Sequence, residues 1–183
     1  MKLFVTTLLT AWSALAPLER QSVRTVDRVD LARYAGQWYE IARFPNRFQR
    51  RCAGDVTARY AVRADGRVDV TNRCTGEDGR ATTAQGVARV VDTRTNSKLK
   101  VRFAPALLSW LPQVWGDYWV VGLADDYSWA VVGSPDRKYL WILARAAALT
   151  GEPYERALAS ARDNGFSLER LVTTRQRVAS AAP

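Results

Sequence analysis

The side chains that most enzymes use for chemistry are scarce in this sequence of 183 residues. It contains no histidine and only two cysteines, Cys52 and Cys74. Without histidine, Ser-His-Asp and Cys-His catalysis and histidine-bearing zinc sites are excluded, and two cysteines cannot form a four-cysteine zinc site. The sequence therefore predicts no catalytic residues, no metal site and no cofactor. In an enzyme, the strong nucleophile would have to be one of the two cysteines, activated by arginine or tyrosine.

Basic residues dominate the charge, since 27 Lys and Arg against 18 Asp and Glu give a net charge of +9. A charge of this size raises the question of nucleic-acid binding. The basic residues are scattered from Arg20 to Arg177, however, and the longest run among them is the pair Arg50-Arg51. No basic helix, zinc-finger spacing or RNA-binding motif accompanies them, so we predict no nucleic-acid partner. A solvated basic surface is the favoured interpretation, and it also suits an anionic membrane surface.

Most of the chain is a series of strand-like segments in which apolar and polar residues alternate. Turn signals such as Asp65-Gly66 and Asp78-Gly79 separate them. The predicted strands are residues 38–44, 56–62, a segment beginning at 68, 83–91, 99–103, 118–123, 129–132 and 139–143. A helix over 150–165 and a short strand over 166–173 follow. This order predicts an all-β fold, an eight-stranded antiparallel up-and-down barrel with one C-terminal α-helix and a short final strand.

The N-terminal sixteen residues have the pattern of a secretory signal peptide. A positive Lys2 precedes an apolar run, and Ala14-Leu15-Ala16 has the small-x-small form of a signal-peptidase site. An unprocessed apolar tail is the alternative, because Pro17 is unfavourable directly after a cleavage site. Export would place the two cysteines in an oxidising compartment, where we expect them to form one disulfide. The predicted parts of the chain are a signal peptide at 1–16, a linker at 17–28, the barrel domain at 29–177 and a flexible tail at 178–183.

Three motifs occur in order along the predicted strands. They are GQWYEIAR at residues 36–43, DDY at 125–127 and YLWILAR at 139–145. Together they resemble the lipocalin family, specifically its bacterial outer-membrane branch and apolipoprotein D-like relatives. Their counterparts there are the G-x-W of the first strand, the T-D-Y turn between strands six and seven, and the arginine after strand eight. The likeness extends over residues 29–176, and no cysteine near the predicted cleavage site matches the lipid-attachment residue of the anchored bacterial members.

The first and third motifs are expected to close one end of the barrel. Gly36 lets the chain enter the floor where a side chain would clash. Trp38 then covers the floor with a large apolar ring, and Arg145 can lie over the indole face in a cation–π contact. We expect these three residues to be structural, so that the opposite end of the barrel is the open one.

Alternation along the strands nominates the wall of a ligand cavity, because an eight-stranded barrel can hold one small ligand. Several of the nominated residues are small, which would leave space that a solid core fills. The predicted ligand-binding residues are Glu40, Ala42, Phe44, Val56, Ala58, Tyr60, Val68, Val70, Gly86, Ala88, Val101, Phe103, Tyr118, Val120 and Trp141. For each residue singly, packing without any ligand is the alternative.

Glu40 stands out in this set, because a carboxylate inside an apolar barrel is costly unless it is paired or protonated. It could accept a hydrogen bond from Tyr60 or Tyr118, or contact a polar group of the ligand. The alternative is a solvated position or a pairing with arginine.

The resemblance implies that the loops after strands one, three, five and seven lie at the open mouth, and two of these loops have unusual compositions. The loop after the first strand carries Arg47, Arg50 and Arg51, and residues 104–116 are far too apolar for plain exposure to solvent. The apolar mouth residues singled out are Leu108, Trp110, Leu111 and Trp115. We expect this end to dock on an anionic membrane or on the mouth of a second copy in a homodimer, and the alternative is a lid packed on its own barrel.

The resemblance implies a protein of the bacterial cell envelope, periplasmic or peripherally associated with the outer membrane. It would store or transport a fatty acid, a lysophospholipid or a similar hydrophobic ligand in the barrel. Two alternatives stay open, a lipid- or isoprenoid-modifying enzyme on the same scaffold and a membrane-stress or scaffold protein.

Overall fold

The computed structural model describes residues 21–177, and its dominant feature is an antiparallel sheet that closes into a barrel. The strands are β1 (Gly36–Arg43), β2 (Gly54–Val62), β3 (Val68–Thr75), β4 (Ala81–Val90), β5 (Lys98–Arg102), β6 (Gly116–Leu123), β7 (Trp129–Gly133), β8 (Leu140–Ala144) and β9 (Val172–Thr173). The helices are α1 (Leu31–Tyr34) and α2 (Gly151–Asp163), with 3-10 turns at Arg47–Gln49, Ala106–Leu108, Pro112–Val114 and Leu168–Arg170. Strands β1 to β8 pair in sequence, and β1 pairs with both β8 and β2 to close the barrel. The predicted fold is confirmed.

The predicted elements differ from the observed ones mainly at the final strand. That strand covers Val172–Thr173 instead of residues 166–173. The predicted start of the segment, Phe166, is instead buried against Phe44, with ring centroids 6.2 Å apart. The predicted signal peptide at 1–16 and tail at 178–183 lie outside the described residues.

Two hydrophobic cores lie on opposite sides of the barrel wall. The inner core fills the barrel around Trp38, Val120 and Val132, which are fully buried. The outer core lies between the barrel and α2, where Ala157 and Ala161, one turn apart, are fully buried. These small residues let the helix lie close to the sheet.

A β-bulge in β1 reverses which side chains face the interior. The register of β1 on β8 shifts between Glu40 and Ala42, so that Ala42 pairs with Ile142 and belongs to the outer core. Phe44 belongs to the outer core as well. The prediction that Ala42 and Phe44 line the cavity is therefore wrong, because the extra residue of the bulge inverts the alternation.

Segment 172–177, which we call the seam segment, lies between β1 and β2 at the mouth side of the barrel, where these two strands do not pair with each other. The two strands pair directly only between Gly36–Tyr39 and residues 57–60. Beyond the paired residues, toward the mouth, the Gln176 side-chain amide donates to the carbonyl oxygens of Glu40 and Val56, at 2.7 and 2.9 Å. The seam segment thus links two strands that do not pair with each other at that level.

The predicted linker is partly ordered against the barrel. Among its described residues, Val23 is buried in the outer core and the Val26 amide donates to the Val120 carbonyl oxygen at 3.0 Å. Apolar burial and backbone pairing therefore attach residues 21–28 to the domain. Between residues 21 and 177, no helix is long and apolar enough to cross a membrane.

Candidate ligand-binding site

The floor of the barrel is built as the first and third motifs predict. Trp38 is fully buried, and the Arg145 guanidinium lies 3.9 Å from the centroid of its indole ring. Arg145 also donates to the carbonyl oxygens of Gln37 and Arg33 at 2.9 and 2.6 Å. Gly36 has φ +95°, and a Cβ atom there would lie 3.3 Å from the Arg145 Nη1. The glycine is therefore needed both for its backbone conformation and for the close approach of the arginine.

An enclosed apolar cavity lies inside the barrel, and its volume is about 20 Å³. Such a volume accommodates about one water-sized group. The wall consists of aliphatic and tyrosine side chains alone. They are Val29, Leu31, Tyr34, Tyr60, Val68, Val70, Ala88, Leu99, Val101, Tyr118 and Val120. A long ligand can enter this space only if side chains toward the mouth move.

Three tyrosines form a hydrogen-bonded chain on the cavity wall. The hydroxyl oxygens of Tyr34 and Tyr118 are 2.8 Å apart, and the Tyr118 hydroxyl donates to that of Tyr60 at 2.9 Å. Burial raises the pKa of Tyr60 to about 12, and it raises the pKa of Tyr34 and of Tyr118 well above the usual value. All three phenols are therefore neutral hydrogen-bond donors over the physiological pH range.

Glu40 is buried but fully paired. Its carboxylate accepts from the Arg43 guanidinium at 3.1 Å, from the Thr174 hydroxyl at 2.5 Å and from the Gln49 side-chain amide at 2.5 Å. Of the alternatives drawn from the sequence, the pairing with arginine is the one observed, because the bulge turns Arg43 onto the same side as Glu40. The carboxylate joins β1, the seam segment and the first mouth loop.

Seven of the predicted ligand-binding residues line the cavity. They are Tyr60, Val68, Val70, Ala88, Val101, Tyr118 and Val120. Ala58 and Trp141 pack against the inner core without reaching the cavity, and the Trp141 indole N–H donates to Gln49 at 2.9 Å. Val56 is buried in the β1–β2 seam, where Gln176 bonds its carbonyl oxygen.

The space expected at Gly86 is filled. A Cβ atom at Gly86 would lie 2.8 Å from the Phe103 ring, so this side chain crosses the position that the glycine leaves empty. Phe103 itself stays 43% exposed, because it follows the last residue of β5 at the rim. The small residues on the predicted wall therefore do not leave a large cavity, although the sequence predicted one.

Sequence reasoning missed four lining residues, Val29, Leu31, Tyr34 and Leu99. Leu99 lies two residues before Val101 on the same strand face, so alternation could have identified it. The other three precede β1, in and around the short helix α1, where no alternation exists. The N-cap Asp30, whose carboxylate accepts from two backbone amides, is the one local signal there.

The predicted disulfide between Cys52 and Cys74 is present, with Cα atoms 5.5 Å apart. Val62 pairs with Val68, so Cys52 lies beyond the paired part of β2. The chain before Gly54 curls back, and the Ala53 amide donates to the Thr75 carbonyl oxygen at 2.8 Å. The disulfide therefore ties the first mouth loop to β3.

The mouth loops carry the most exposed apolar side chains among the described residues. Phe48, Leu107 and Trp110 are 64%, 75% and 76% exposed. Arg47, Arg50 and Arg51 are exposed beside Phe48. The predicted mouth residues Leu108 and Leu111 are half-buried.

Trp115 does not project from the mouth as the sequence suggested. Its ring is half-buried and lies 4.6 Å from the Arg89 guanidinium and 5.3 Å from that of Arg102. Its indole N–H donates to the Ser109 carbonyl oxygen at 2.8 Å. These contacts hold Trp115 at the base of the loop, because its cation–π partners lie on β4 and β5.

Comparisons with known proteins agree with the motifs. The family model of the lipocalin-like domain matches residues 29–176. Temperature-induced lipocalin-1 of Arabidopsis thaliana is 38% identical over 160 residues, covering 86% of this chain and 85% of that protein. Outer membrane lipoprotein Blc of Escherichia coli K12 is 36% identical over 162 residues, covering 88% of this chain and 87% of that protein. Insecticyanin of the tobacco hornworm Manduca sexta, 20% identical, superposes with a TM-score of 0.66 over 85% of each chain, which shows a shared fold.

Proposed function

The chain belongs to the lipocalin family, and from this premise we propose that it carries one fatty acid, lysophospholipid or similar amphiphile in the barrel. The observation that carries the proposal is the enclosed cavity, whose wall is aliphatic apart from three phenols. Apolar walls with a few placed polar groups are typical of small-molecule sites. The acyl chain would reach the cavity, and its polar end would lie near the basic mouth loop.

Entry of an acyl chain requires the rim to rearrange, because the cavity holds about 20 Å³. Phe103 is the side chain best placed to move, since its ring lies across Gly86 while 43% of it is exposed. Rotation of this ring would extend the cavity toward the mouth.

A carrier is favoured over an enzyme on this scaffold. The enzyme alternative needs a cysteine nucleophile, and both cysteines are joined in the disulfide. A thiolate is therefore not available for covalent catalysis in the oxidised protein. Incubating the reduced and oxidised forms with lipid and analysing the products would reveal turnover, which the carrier proposal expects in neither form.

The binding experiment uses a variant that fills the cavity. Ala88 is buried on the cavity wall, so Ala88→Trp should weaken the binding of hexadecanoic acid and of lysophosphatidylglycerol at least tenfold. Ala64→Trp is the matched control, because Ala64 is exposed in the β2–β3 turn at the closed end. Calorimetry of the wild type is expected to show near one-to-one binding of each lipid. If the wild type binds neither lipid below tens of micromolar, or if Ala88→Trp binds as well as wild type, the proposal is wrong.

We further propose that the mouth docks on an anionic membrane, so that the ligand passes with little exposure to water. Among residues 21–177, Leu107 and Trp110 are the two most exposed large apolar side chains, and tryptophan is favoured at bilayer interfaces. Each of the exposed arginines on the first mouth loop adds about 1 kcal/mol at an anionic surface. The names of relatives such as outer membrane lipoprotein Blc support a bacterial cell-envelope location.

Flotation with phosphatidylglycerol vesicles tests the docking. The double variant Leu107→Ser/Trp110→Ser should lose most vesicle binding. The control Val62→Ser/Val91→Ser also removes two exposed apolar side chains, 44% and 56% exposed, but outside the mouth loops, and should float like wild type. Equal flotation of all three proteins would contradict membrane docking. Analytical ultracentrifugation of the same proteins tests the competing outcome. In that case the wild type forms a homodimer through its mouth loops, and the serine variant is a monomer.

A further inference from the structure

The tyrosine chain in the cavity leaves one hydrogen-bond donor unused. Tyr34, Tyr118 and Tyr60 contribute three hydroxyl protons, and two hydrogen bonds join them. The Tyr118 hydroxyl donates to Tyr60, and because it has only one proton, Tyr34 must donate to Tyr118. The Tyr60 proton is therefore left over, and it has no acceptor among residues 21–177.

This unused donor faces the cavity at its closed end. Both end members of the chain, Tyr34 and Tyr60, are buried and line the cavity. Tyr34 belongs to α1, directly before β1, and its ring centroid lies 4.9 Å from that of the floor residue Trp38. The remaining wall is aliphatic. An acceptor for the proton must therefore come from outside the described chain, and a buried donor without one is unfavourable.

The cavity also limits the size and charge of that acceptor. Its volume of about 20 Å³ fits a group the size of one hydroxyl or carbonyl. No charged side chain lines it, and the guanidinium of Arg145 is engaged with the Trp38 ring and backbone carbonyl oxygens. Burying a carboxylate here would be costly, whereas a neutral oxygen needs one donor. The raised pKa of the three phenols keeps that donor present.

We propose that the ligand is an amphiphile oxygenated at its buried end, with a neutral hydroxyl or carbonyl oxygen that accepts the spare phenol proton. This inference rests on the proposed function, because it assumes that the acyl chain enters from the mouth and reaches the floor. The inference concerns the buried end of the ligand, whereas the basic mouth loop concerns its polar head group. An ω-hydroxy or ω-oxo fatty acid has both features.

The test compares hexadecanoic acid with its ω-hydroxy derivative. The ratio of their dissociation constants is measured for the wild type and for Tyr34→Phe/Tyr60→Phe/Tyr118→Phe, which removes all three hydroxyls and keeps the rings. Any smaller set of substitutions leaves a spare proton in the chain. The ratio should shift about tenfold against the hydroxy acid in the triple variant, because its buried hydroxyl is left unpaired. Tyr154→Phe on α2 is the matched control and should keep the wild-type ratio, since Tyr154 packs outside the barrel.

A second measurement needs no variant. The aldehyde stretching frequency of an ω-oxo fatty acid labelled with carbon-13 at its terminal carbon should be lower when bound to wild type than in an alkane, as expected for a hydrogen-bonded carbonyl. An alkane-like frequency, or an unchanged affinity ratio in a folded triple variant, would mean that water satisfies the phenol and would overturn the inference alone. A wild type that binds neither acid would overturn the proposed function together with it.

Discussion

Replacing Arg145 by methionine should destabilise the protein by about 3 kcal/mol, because it removes the cation–π contact and two short hydrogen bonds together with a longer one, 3.4 Å, to the Tyr127 carbonyl oxygen. The cation–π contact with Trp38, at 3.9 Å, contributes about 1 kcal/mol at this partly buried position. The hydrogen bonds to the carbonyl oxygens of Gln37 and Arg33, at 2.9 and 2.6 Å, contribute about 1 kcal/mol each. Methionine keeps a long apolar stem over the indole ring, so the loss reflects the guanidinium and not the packing.

The matched variant Arg145→Lys separates charge from geometry. Lysine keeps a cation near the ring but cannot present the planar fork to two carbonyl oxygens, so we expect about half of the loss. Urea unfolding followed by tryptophan fluorescence measures both variants, with an unchanged m-value as the check that the comparison is valid. A cost below 1 kcal/mol for methionine, or the same cost for lysine and methionine, would refute this account of the floor.

Further predictions concern the disulfide, the seam and the buried carboxylate. Removing the Cys52–Cys74 disulfide by a double serine substitution should cost roughly 3 kcal/mol for a sequence separation of 22 residues, measured by urea unfolding without reductant; a cost near zero would contradict it. The pKa of Asp55 is lowered to about 2, chiefly by the hydrogen bond from Arg177, so this pair stabilises the fold above pH ~4 and the contribution disappears as the pH falls toward 2. The difference in melting temperature between wild type and Asp55→Asn should therefore shrink over that window, and a constant difference would contradict the assignment. Glu40→Ala should cost about 3 kcal/mol in thermal or urea unfolding, because it leaves its half-buried arginine partner without a counter-charge, and a neutral effect would show that water replaces the carboxylate.

The strands were predictable because local chemistry determines them. Alternation and Asp-Gly turns identify the hairpins, and the observed ends differ by a few residues. The floor was predictable from Gly36, Trp38 and Arg145 for the same reason, because the glycine backbone, the indole ring and the guanidinium each have chemistry that suits that position. Resemblance to a family then added which loops lie at the mouth.

The residues that line the cavity were harder to predict, because contacts between segments distant in sequence determine which side chains face inward. The bulge after Glu40 lies where β1 stops pairing with β2 while its pairing with β8 continues, and no local pattern in residues 36–43 marks that position. Phe103 and Gly86 are distant in sequence, so only the folded barrel reveals that one fills the space left by the other. Tyr34 lies in a four-residue helix without alternation, although it supplies one end of the hydrogen-bonded chain.

The seam segment also imposes an order on folding. Its contacts with Glu40 span 134 and 136 residues of sequence, so the mouth-side half of β1 stays unpaired on that edge until residues 174–176 have been synthesised. A growing chain can form the hairpins from β2 to β8 early, because their contacts are local. It must meanwhile keep an open strand edge, which is prone to pair with other chains. Covering of this edge is therefore a late event, and chains interrupted shortly before Thr174 should aggregate more readily than the complete chain.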